Sequence, residues 1–148
     1  MTGRVFVDTN VLIYARDRKA EDKRTKAQAW LVALGDTGQA RVNLQVVNEF
    51  TRWMLANEQG RSLEDVQEEI QALRAWGDKP LDHDEVELGW AVRKRFGYQW
   101  FDCLLIAAAE LSGCRYFLTE DMSKGAVFGS VKLVDPFRTS PAEILSTH

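Results

Sequence analysis

Apolar residues fall into two patterns along this chain: short continuous runs, and longer stretches with helical spacing. The short runs, at residues 5–7, 115–119 and 131–134, are rich in β-branched and aromatic side chains. Such runs are typical of strands in a parallel sheet, where both faces are covered. A shorter candidate strand lies at 41–44. These runs predict the strands of a central sheet.

Between the runs, apolar residues recur every three or four positions, which indicates amphipathic helices. These segments cover 19–37, 45–57, 63–76 and 86–95. A more uniformly apolar segment, 102–113, indicates a buried helix. Because strands alternate with helices, we predict an α/β fold, a three-layer α/β/α sandwich with a central parallel sheet.

The length of the chain fits one domain. Its 148 residues are enough to bury a core without disulfide bonds. No apolar run approaches the roughly 18 residues that a membrane span requires. The first strand follows the amino terminus directly, without a secretory signal pattern. We therefore expect a single domain over 1–148, a mobile polar tail at 138–148, no membrane association and a cytoplasmic location.

Four carboxylates occupy comparable positions relative to these elements. Asp8 follows the first strand, where it can also cap the next helix, and Asp121 follows a later strand. Glu49 lies on the edge of a predicted helix, and Asp102 begins the buried helix. Ligands of open parallel sheets bind at the carboxyl ends of the strands. We therefore expect the four acids to cluster at one end of the sheet.

Such a cluster requires cations, because like charges a few ångströms apart cannot all ionise. Mg²⁺ or Mn²⁺ suits these oxygen ligands, and the Cys/His spacing of a zinc site is absent from the sequence. These ions can hold a phosphodiester and lower the pKa of a bound water. The net charge of −3 argues against binding of nucleic acid through bulk positive charge, but bound cations invert the local field. The sequence therefore predicts a metal-dependent nuclease.

Taken together, five segments resemble the PIN-domain ribonucleases, and more narrowly the VapC-type toxins of toxin–antitoxin pairs. They are V-F-V-D-T-N-V-L-I-Y at 5–14, V-V-N-E-F at 46–50, W-F-D-C-L-L-I-A-A-A at 100–109, F-L-T-E-D-M-S-K-G at 117–125 and V-K-L-V-D-P-F at 131–137. They span nearly the whole chain in the order that the family shows. The resemblance implies a three-layer fold and Mg²⁺- or Mn²⁺-dependent endonuclease activity on RNA, with 5′-phosphate and 3′-hydroxyl products.

The resemblance also assigns residues by position. Asp8, Glu49 and Asp102 match the three most invariant acids of the family. Asp121 matches a more variable fourth acid, and Glu120 beside it is the competing assignment. We expect these acids to bind metal and to catalyse cleavage.

Two further positions and two partners are implied in the same way. Asn10 and Thr119 match polar residues that help to hold the acids or the attacking water. The family forms homodimers. Its members are inhibited by a small antitoxin protein whose C-terminal segment lies across the toxin.

Basic and aromatic residues near these motifs are candidates for contact with RNA. Trp100 can stack on an unpaired base, whereas Trp53, Trp76 and Trp90 have the spacing of core residues. The basic candidates that flank the acids are Arg93, Lys94, Arg95 and Lys124.

Two alternatives remain open. A phosphatase of the haloacid-dehalogenase type also has an aspartate after its first strand. However, the sequence Asp8-Thr9-Asn10 lacks the second aspartate that such a site needs two positions later. The other alternative is a non-catalytic module that binds RNA or a protein partner and keeps the acidic pocket without turnover.

Overall fold

A mostly parallel sheet forms the centre of the structure. This computed structural model describes residues 3–120, 122 and 125–145. The strands are β1 (Arg4–Val7), β2 (Ala40–Arg41), β3 (Cys114–Leu118), β4 (Val127–Phe128) and β5 (Val131–Val134). Their order is β2-β1-β3-β5-β4, and every pairing is parallel except that of β4 with β5. The two-residue strand β4 was not predicted, because it is too short to produce a pattern.

Helices flank the sheet in two groups, which confirms the predicted three-layer fold. They are α1 (Thr9–Tyr14), α2 (Glu21–Thr37), α3 (Leu44–Asn57), α4 (Leu63–Leu73), α5 (His83–Phe96), α6 (Trp100–Leu111) and α7 (Pro141–Leu145). Helices α5 and α6 pack as a pair, with α6 against β3 and β5. Helix α1 contacts α2 and α3, and α3 contacts α4. Across the described residues, no helix is both long and apolar enough to span a bilayer.

Strand β1 lies inside the sheet, where its apolar side chains are covered on both faces. Residues 5–7 are fully buried, and the ring of Phe6 packs 5.4 Å from that of Phe117 on β3. Beyond the end of β1, the backbone N–H of Asp8 donates to the carbonyl of Leu118 at 3.1 Å. The two neighbouring parallel strands therefore end side by side, which places the residues that follow them together.

The predicted strand at 41–44 is displaced in the structure. Strand β2 covers only Ala40–Arg41, because the next residues begin a helix. The side chain of Asn43 accepts a hydrogen bond from the backbone N–H of Val46 at 3.1 Å and so caps α3. Helix α3 therefore starts at Leu44.

Two other predicted helices differ at their ends. The helix predicted at 63–76 is α-helical only as far as Leu73, and Arg74–Trp76 form a 3₁₀ turn. Gly77 then ends the turn with φ 130° and ψ 146°. The buried helix begins at Trp100, slightly before its predicted start.

The carboxy-terminal segment packs against α2. The indole N–H of Trp30 donates to the carbonyls of Pro136 and Thr139, at 2.9 and 3.0 Å. Helix α7 contacts α2 and buries Leu145. The mobility predicted for 138–148, and the single domain predicted for the whole chain, both remain predictions.

The backbone at Gly77 supplies a test of the fold. A Cβ atom at this position would lie 2.3 Å from the carbonyl oxygen of Val42, and the backbone angles fall in a region that is almost exclusive to glycine. We expect Gly77→Ala to lower the free energy of unfolding by about 2–4 kcal/mol in urea titrations. Gly60→Ala is the matched control, because a Cβ there meets nothing within 4 Å. Equal stability of the two variants would contradict this reading of the turn.

Candidate active site

The site is built around Asp8, which follows β1 and caps α1. Its Oδ1 accepts a hydrogen bond from the backbone N–H of Thr9 at 2.7 Å. Its Oδ2 accepts one from the hydroxyl of Thr119, the residue after β3, at 2.8 Å. Only 6% of Asp8 is exposed. Both carboxylate oxygens are therefore held by groups from two adjacent strand ends.

Thr9 links this carboxylate to a second one. Its hydroxyl donates to Oε1 of Glu49 on α3 at 3.0 Å, while its backbone N–H donates to Asp8. Glu49 lies on the exposed side of α3, so this bond ties an otherwise solvated side chain to the strand end. Sequence reasoning did not identify this role of Thr9, because a contact between residues 9 and 49 leaves no local pattern.

Asp102 enters from the opposite group of helices. It lies half-buried in the first turn of α6, as predicted. A cavity of about 490 Å³ is lined by Asp8, Glu49 and Asp102 together, and Asn10 also lines it. The structure therefore brings three of the four predicted acids, and one predicted supporting residue, to a single opening.

Burial and the proximity of the other acids both change the ionisation of Asp8. Burial is the largest of the effects that raise the pKa of its carboxyl from 3.8 to about 7. The negative charges of Asp102 and Glu49 also raise this pKa, while the hydrogen bonds from Thr119 and Thr9 lower it. Near neutral pH, the site thus accepts either a proton or another positive charge.

The described residues show no preformed coordination shell for a metal ion at this site. Among the residues that the structure describes, no group of three or more His, Cys, Asp or Glu side chains is arranged to hold a metal ion. Asp121, the predicted fourth acid, lies outside the described residues.

Glu120, the competing candidate for the fourth acid, is directed elsewhere. It forms an ion pair with Lys23 of α2. The ammonium of Lys23 in turn lies 4.8 Å from the ring centroid of Tyr14 and 5.4 Å from that of Phe137. Glu120 is not among the residues that line the acid cavity.

The predicted RNA contacts on α5 and α6 do not line the cavity either. Arg93 donates to the carbonyls of Gly97 and Tyr98 and so closes the carboxyl end of α5. Lys94 and Arg95 are exposed. Lys124, the remaining basic candidate, lies outside the described residues.

The tryptophans divide differently from the prediction. Trp53, Trp76 and Trp100 are partly buried and pack against the core. The prediction of a core position for Trp90 is wrong, because 53% of Trp90 is exposed. Its ring instead lies 4.7 Å from that of Trp100. A helical spacing could not distinguish a core residue from one that covers another aromatic ring at the surface.

Sequence reasoning missed one cation in the site. Arg52 follows Glu49 by one turn of α3 and lines the acid cavity, as does Trp53. The spacing of three residues on one helix was the available signal, since such side chains lie on neighbouring parts of a helix surface. The cavity therefore carries a fixed positive charge at its edge.

Known structures that share this fold include the following three proteins. A toxin–antitoxin complex from Klebsiella pneumoniae shares 21% identity at a TM-score of 0.64, over 89% of this chain and 97% of that chain. VapBC2 from Rickettsia felis, bound to a promoter DNA fragment, shares 12% sequence identity at a TM-score of 0.59, over 87% of this chain and 96% of that chain. VapC20 from Mycobacterium tuberculosis, described as a sarcin–ricin loop cleaving toxin, shares 15% sequence identity at a TM-score of 0.50, over 76% of this chain and 86% of that chain.

At these identities, the likeness shows a common fold. Comparison with curated protein sequences gives no significant match. The sequence model of the PIN domain, however, matches residues 5–123, which include Asp8, Glu49 and Asp102. Because that match covers most of the chain, and because the sheet and flanking helices agree with it, this chain belongs to the PIN-domain family.

Proposed function

We propose that this protein is a metal-dependent endoribonuclease toxin that cleaves RNA and is neutralised by a small antitoxin protein. The observation that carries the proposal is the convergence of Asp8, Glu49 and Asp102 on one cavity in a PIN-family chain. The proposed products are a 5′-phosphate and a 3′-hydroxyl. The similarity in fold to a toxin described as cleaving the sarcin–ricin loop supports RNA as the substrate class.

The residues of the cavity fit a hard divalent cation by their chemistry and charge. All three acids offer oxygen ligands, which Mg²⁺ and Mn²⁺ prefer. Burial, together with the negative charges of Asp102 and Glu49, raises the pKa of Asp8, so a bound cation would stabilise the ionised form of this carboxyl. We propose that Asp8, Glu49 and Asp102 hold Mg²⁺ or Mn²⁺. When bound, the ion supplies a water of lowered pKa and neutralises charge on the phosphate.

Other residues of the chain hold the acids in position. Thr119 and the backbone N–H of Thr9 fix the carboxylate of Asp8 through both oxygens. The Thr9 hydroxyl keeps Glu49 at the same opening. Arg52 is placed to pair with a phosphate oxygen at the cavity edge, since a guanidinium binds phosphate through parallel hydrogen bonds. We further propose Asp121 as the fourth acid and Asn10 as a supporting residue.

Partners follow from the same proposal. Two of the proteins with this fold were solved with partners, one as a toxin–antitoxin complex and the other as VapBC2 bound to promoter DNA. We propose that this chain likewise binds an antitoxin, forms a homodimer and acts in the cytoplasm. A purified sample must therefore be freed of inhibitor before its activity is measured.

Cleavage of total cellular RNA tests the proposal directly. With Mg²⁺ or Mn²⁺, inhibitor-free protein should produce discrete fragments with 5′-phosphate ends, and EDTA should prevent this. Asp8→Asn should reduce the rate roughly 100-fold or more, because it removes a carboxylate that is proposed to hold the metal ion. Asp36→Asn, an exposed position on α2, is the matched control and should cleave normally.

The outcomes separate the alternatives. A fully active Asp8→Asn variant would show that Asp8 is not a catalytic residue. If the folded protein does not cleave RNA with either Mg²⁺ or Mn²⁺ but still binds RNA or a protein tightly, the chain is a binding module rather than an enzyme. The length and end sequences of any fragments would identify the RNA that is cut.

The fourth acid can be assigned by a paired comparison. We expect Glu120→Gln to retain most activity, because Glu120 is paired with Lys23 and does not line the acid cavity. Asp121→Asn should reduce the rate of cleavage, as the proposed role of Asp121 requires. Initial rates on one RNA substrate measure both effects. Loss of activity only in the Glu120 variant would reverse the assignment.

The ionisation of Asp8 predicts a pH-dependent stability of the metal-free protein. The folded pKa of about 7 exceeds the ordinary 3.8, so unfolding releases a proton between these values and stability falls as pH rises. In EDTA at pH 8, Asp8→Asn should therefore raise the free energy of unfolding by about 1–4 kcal/mol. The gain should fade as the pH is lowered towards 4.

Urea titrations at several pH values measure this difference. The wild-type protein should also gain stability on addition of Mn²⁺, because a ligand that binds only the folded state stabilises it. Asp36→Asn again serves as the control, since an exposed carboxylate has no burial to relieve. A gain in stability for Asp8→Asn that does not change with pH would contradict the ionisation described for the site.

A further inference from the structure

A strip of basic surface adjoins the acid cavity. A second cavity of about 490 Å³ shares Trp53 and Asn57 with the acid cavity, so the two meet along α3. A third cavity, of about 450 Å³, shares four lining residues with the second. The cations that line this strip, here called the basic track, are Arg16, Arg18, Lys19, Arg24 and Arg61.

Two cations of the track are occupied by ion pairs. Arg16 binds Glu58 at 2.8 Å and also binds Glu69. Arg61 binds Glu69 as well. These bonds join the loop after α1 to the end of α3 and to α4. The backbone at Ala15 is held further, since its carbonyl accepts from the side chain of Gln28 at 2.8 Å.

The other cations of the track are available. Arg18 and Lys19 are exposed, and together with Arg24 they form no ion pair with any residue in the described part of the chain. The nearest carboxylate in sequence, Asp17, accepts the backbone N–H of Lys19 at 2.9 Å. In a chain of net charge −3, these groups form a local positive surface on the loop after α1, which Arg16 fixes in place, and on the first turn of α2.

An aromatic side chain lies between the acids and the track. Trp53 is half-buried, its ring is stacked on Phe50 at 6.3 Å, and it lines both adjoining cavities. From Glu49 to Asn57, α3 rises about 12 Å, at roughly 1.5 Å per residue. That length corresponds to about three or four nucleotides at the ~3.4 Å rise of a stacked strand.

We propose that the basic track binds the sugar–phosphate backbone of the RNA strand on one side of the cleavage point, with Trp53 as a stacking surface between track and acids. The inference rests on the proposed ribonuclease function, because the acids mark the position of the cut. Proteins bind single-stranded nucleic acid by combining two components, a positively charged surface and an aromatic ring on which a base stacks. The unpaired cations of the track and Trp53 supply these two components. An acidic protein segment would use the charges but not the stacking surface.

The test compares two double variants that lose the same charge. Arg18→Ala/Lys19→Ala removes two available cations of the track. Arg115→Ala/Lys132→Ala removes two exposed cations that line none of the three cavities. Binding of a fluorescent single-stranded RNA is measured in EDTA over a series of salt concentrations. Cleavage of the same RNA is measured with Mn²⁺.

We expect the track variant to bind RNA roughly tenfold more weakly at low salt, while the control binds as the wild type does. The slope of log K against log salt concentration should become shallower by about 1.4, since each phosphate contact on a single strand contributes about 0.7. In cleavage, KM should rise and kcat should stay unchanged. An RNA shortened on the flank that the track binds should bind the wild type more weakly than the full-length RNA does. The track variant should bind both RNAs equally.

Each other result is decisive. If the wild type cleaves RNA, but both variants bind RNA as the wild type does or lose the same affinity, RNA binding by the track is refuted. The ribonuclease function is then still supported. If the wild type never cleaves RNA, but the track variant alone shows a shallower salt dependence of RNA binding, the ribonuclease function is refuted and RNA binding by the track is supported. An equal loss of affinity for poly-L-glutamate would assign the surface to an acidic protein segment and refute the RNA proposal.

Folding of the variants is checked by thermal unfolding. Both substituted residues are exposed, so the midpoint should match that of the wild type. Arg18→Gln/Lys19→Gln removes the charges with less loss of side-chain volume and serves if the alanine variant unfolds. The glutamine variant should show the same shallower slope, and a wild-type slope would refute the track.

Discussion

The parallel pairing of β1 with β3 is the constraint on which the site depends. The N–H of Asp8 donates to the carbonyl of Leu118, so both strands end at the same level. The next residues, Asp8 and Thr119, then meet and form a buried hydrogen bond. A one-residue slip between these strands would turn every side chain to the opposite face and expose the core. The hydrophobic core therefore also fixes the position of the carboxylate.

The charges around this carboxylate are arranged in two zones. Inside the cavity, burial raises the pKa of Asp8, and the negative charges of Asp102 and Glu49 raise it further. At the edge, Arg52 supplies positive charge. A negative centre with a positive margin attracts both a cation and a polyanion, although the protein as a whole is acidic. Net charge alone would not reveal this distribution, because it sums over zones of opposite sign.

The sequence predicted the parts of the structure that leave a local pattern. The strands at 5–7 and 131–134, and the position of Asp102 in the first turn of a helix, could be predicted because burial and capping act over a few residues. The bond between Thr9 and Glu49, and the ion pair of Glu120, join residues far apart in the chain. Such contacts are set by packing, which one sequence without its fold does not display.

Asp8 is both the cap of α1 and the buried acid of the site, so folding and chemistry constrain the same side chain. Substitution by an apolar residue would remove the cap and the carboxylate oxygen that accepts the hydrogen bond from Thr119. Asparagine is nearly the same shape and can still cap the helix. A lineage that lost the proposed activity but kept this fold would therefore be expected to pass through asparagine at this position, so that asparagine at residue 8 would mark inactive descendants.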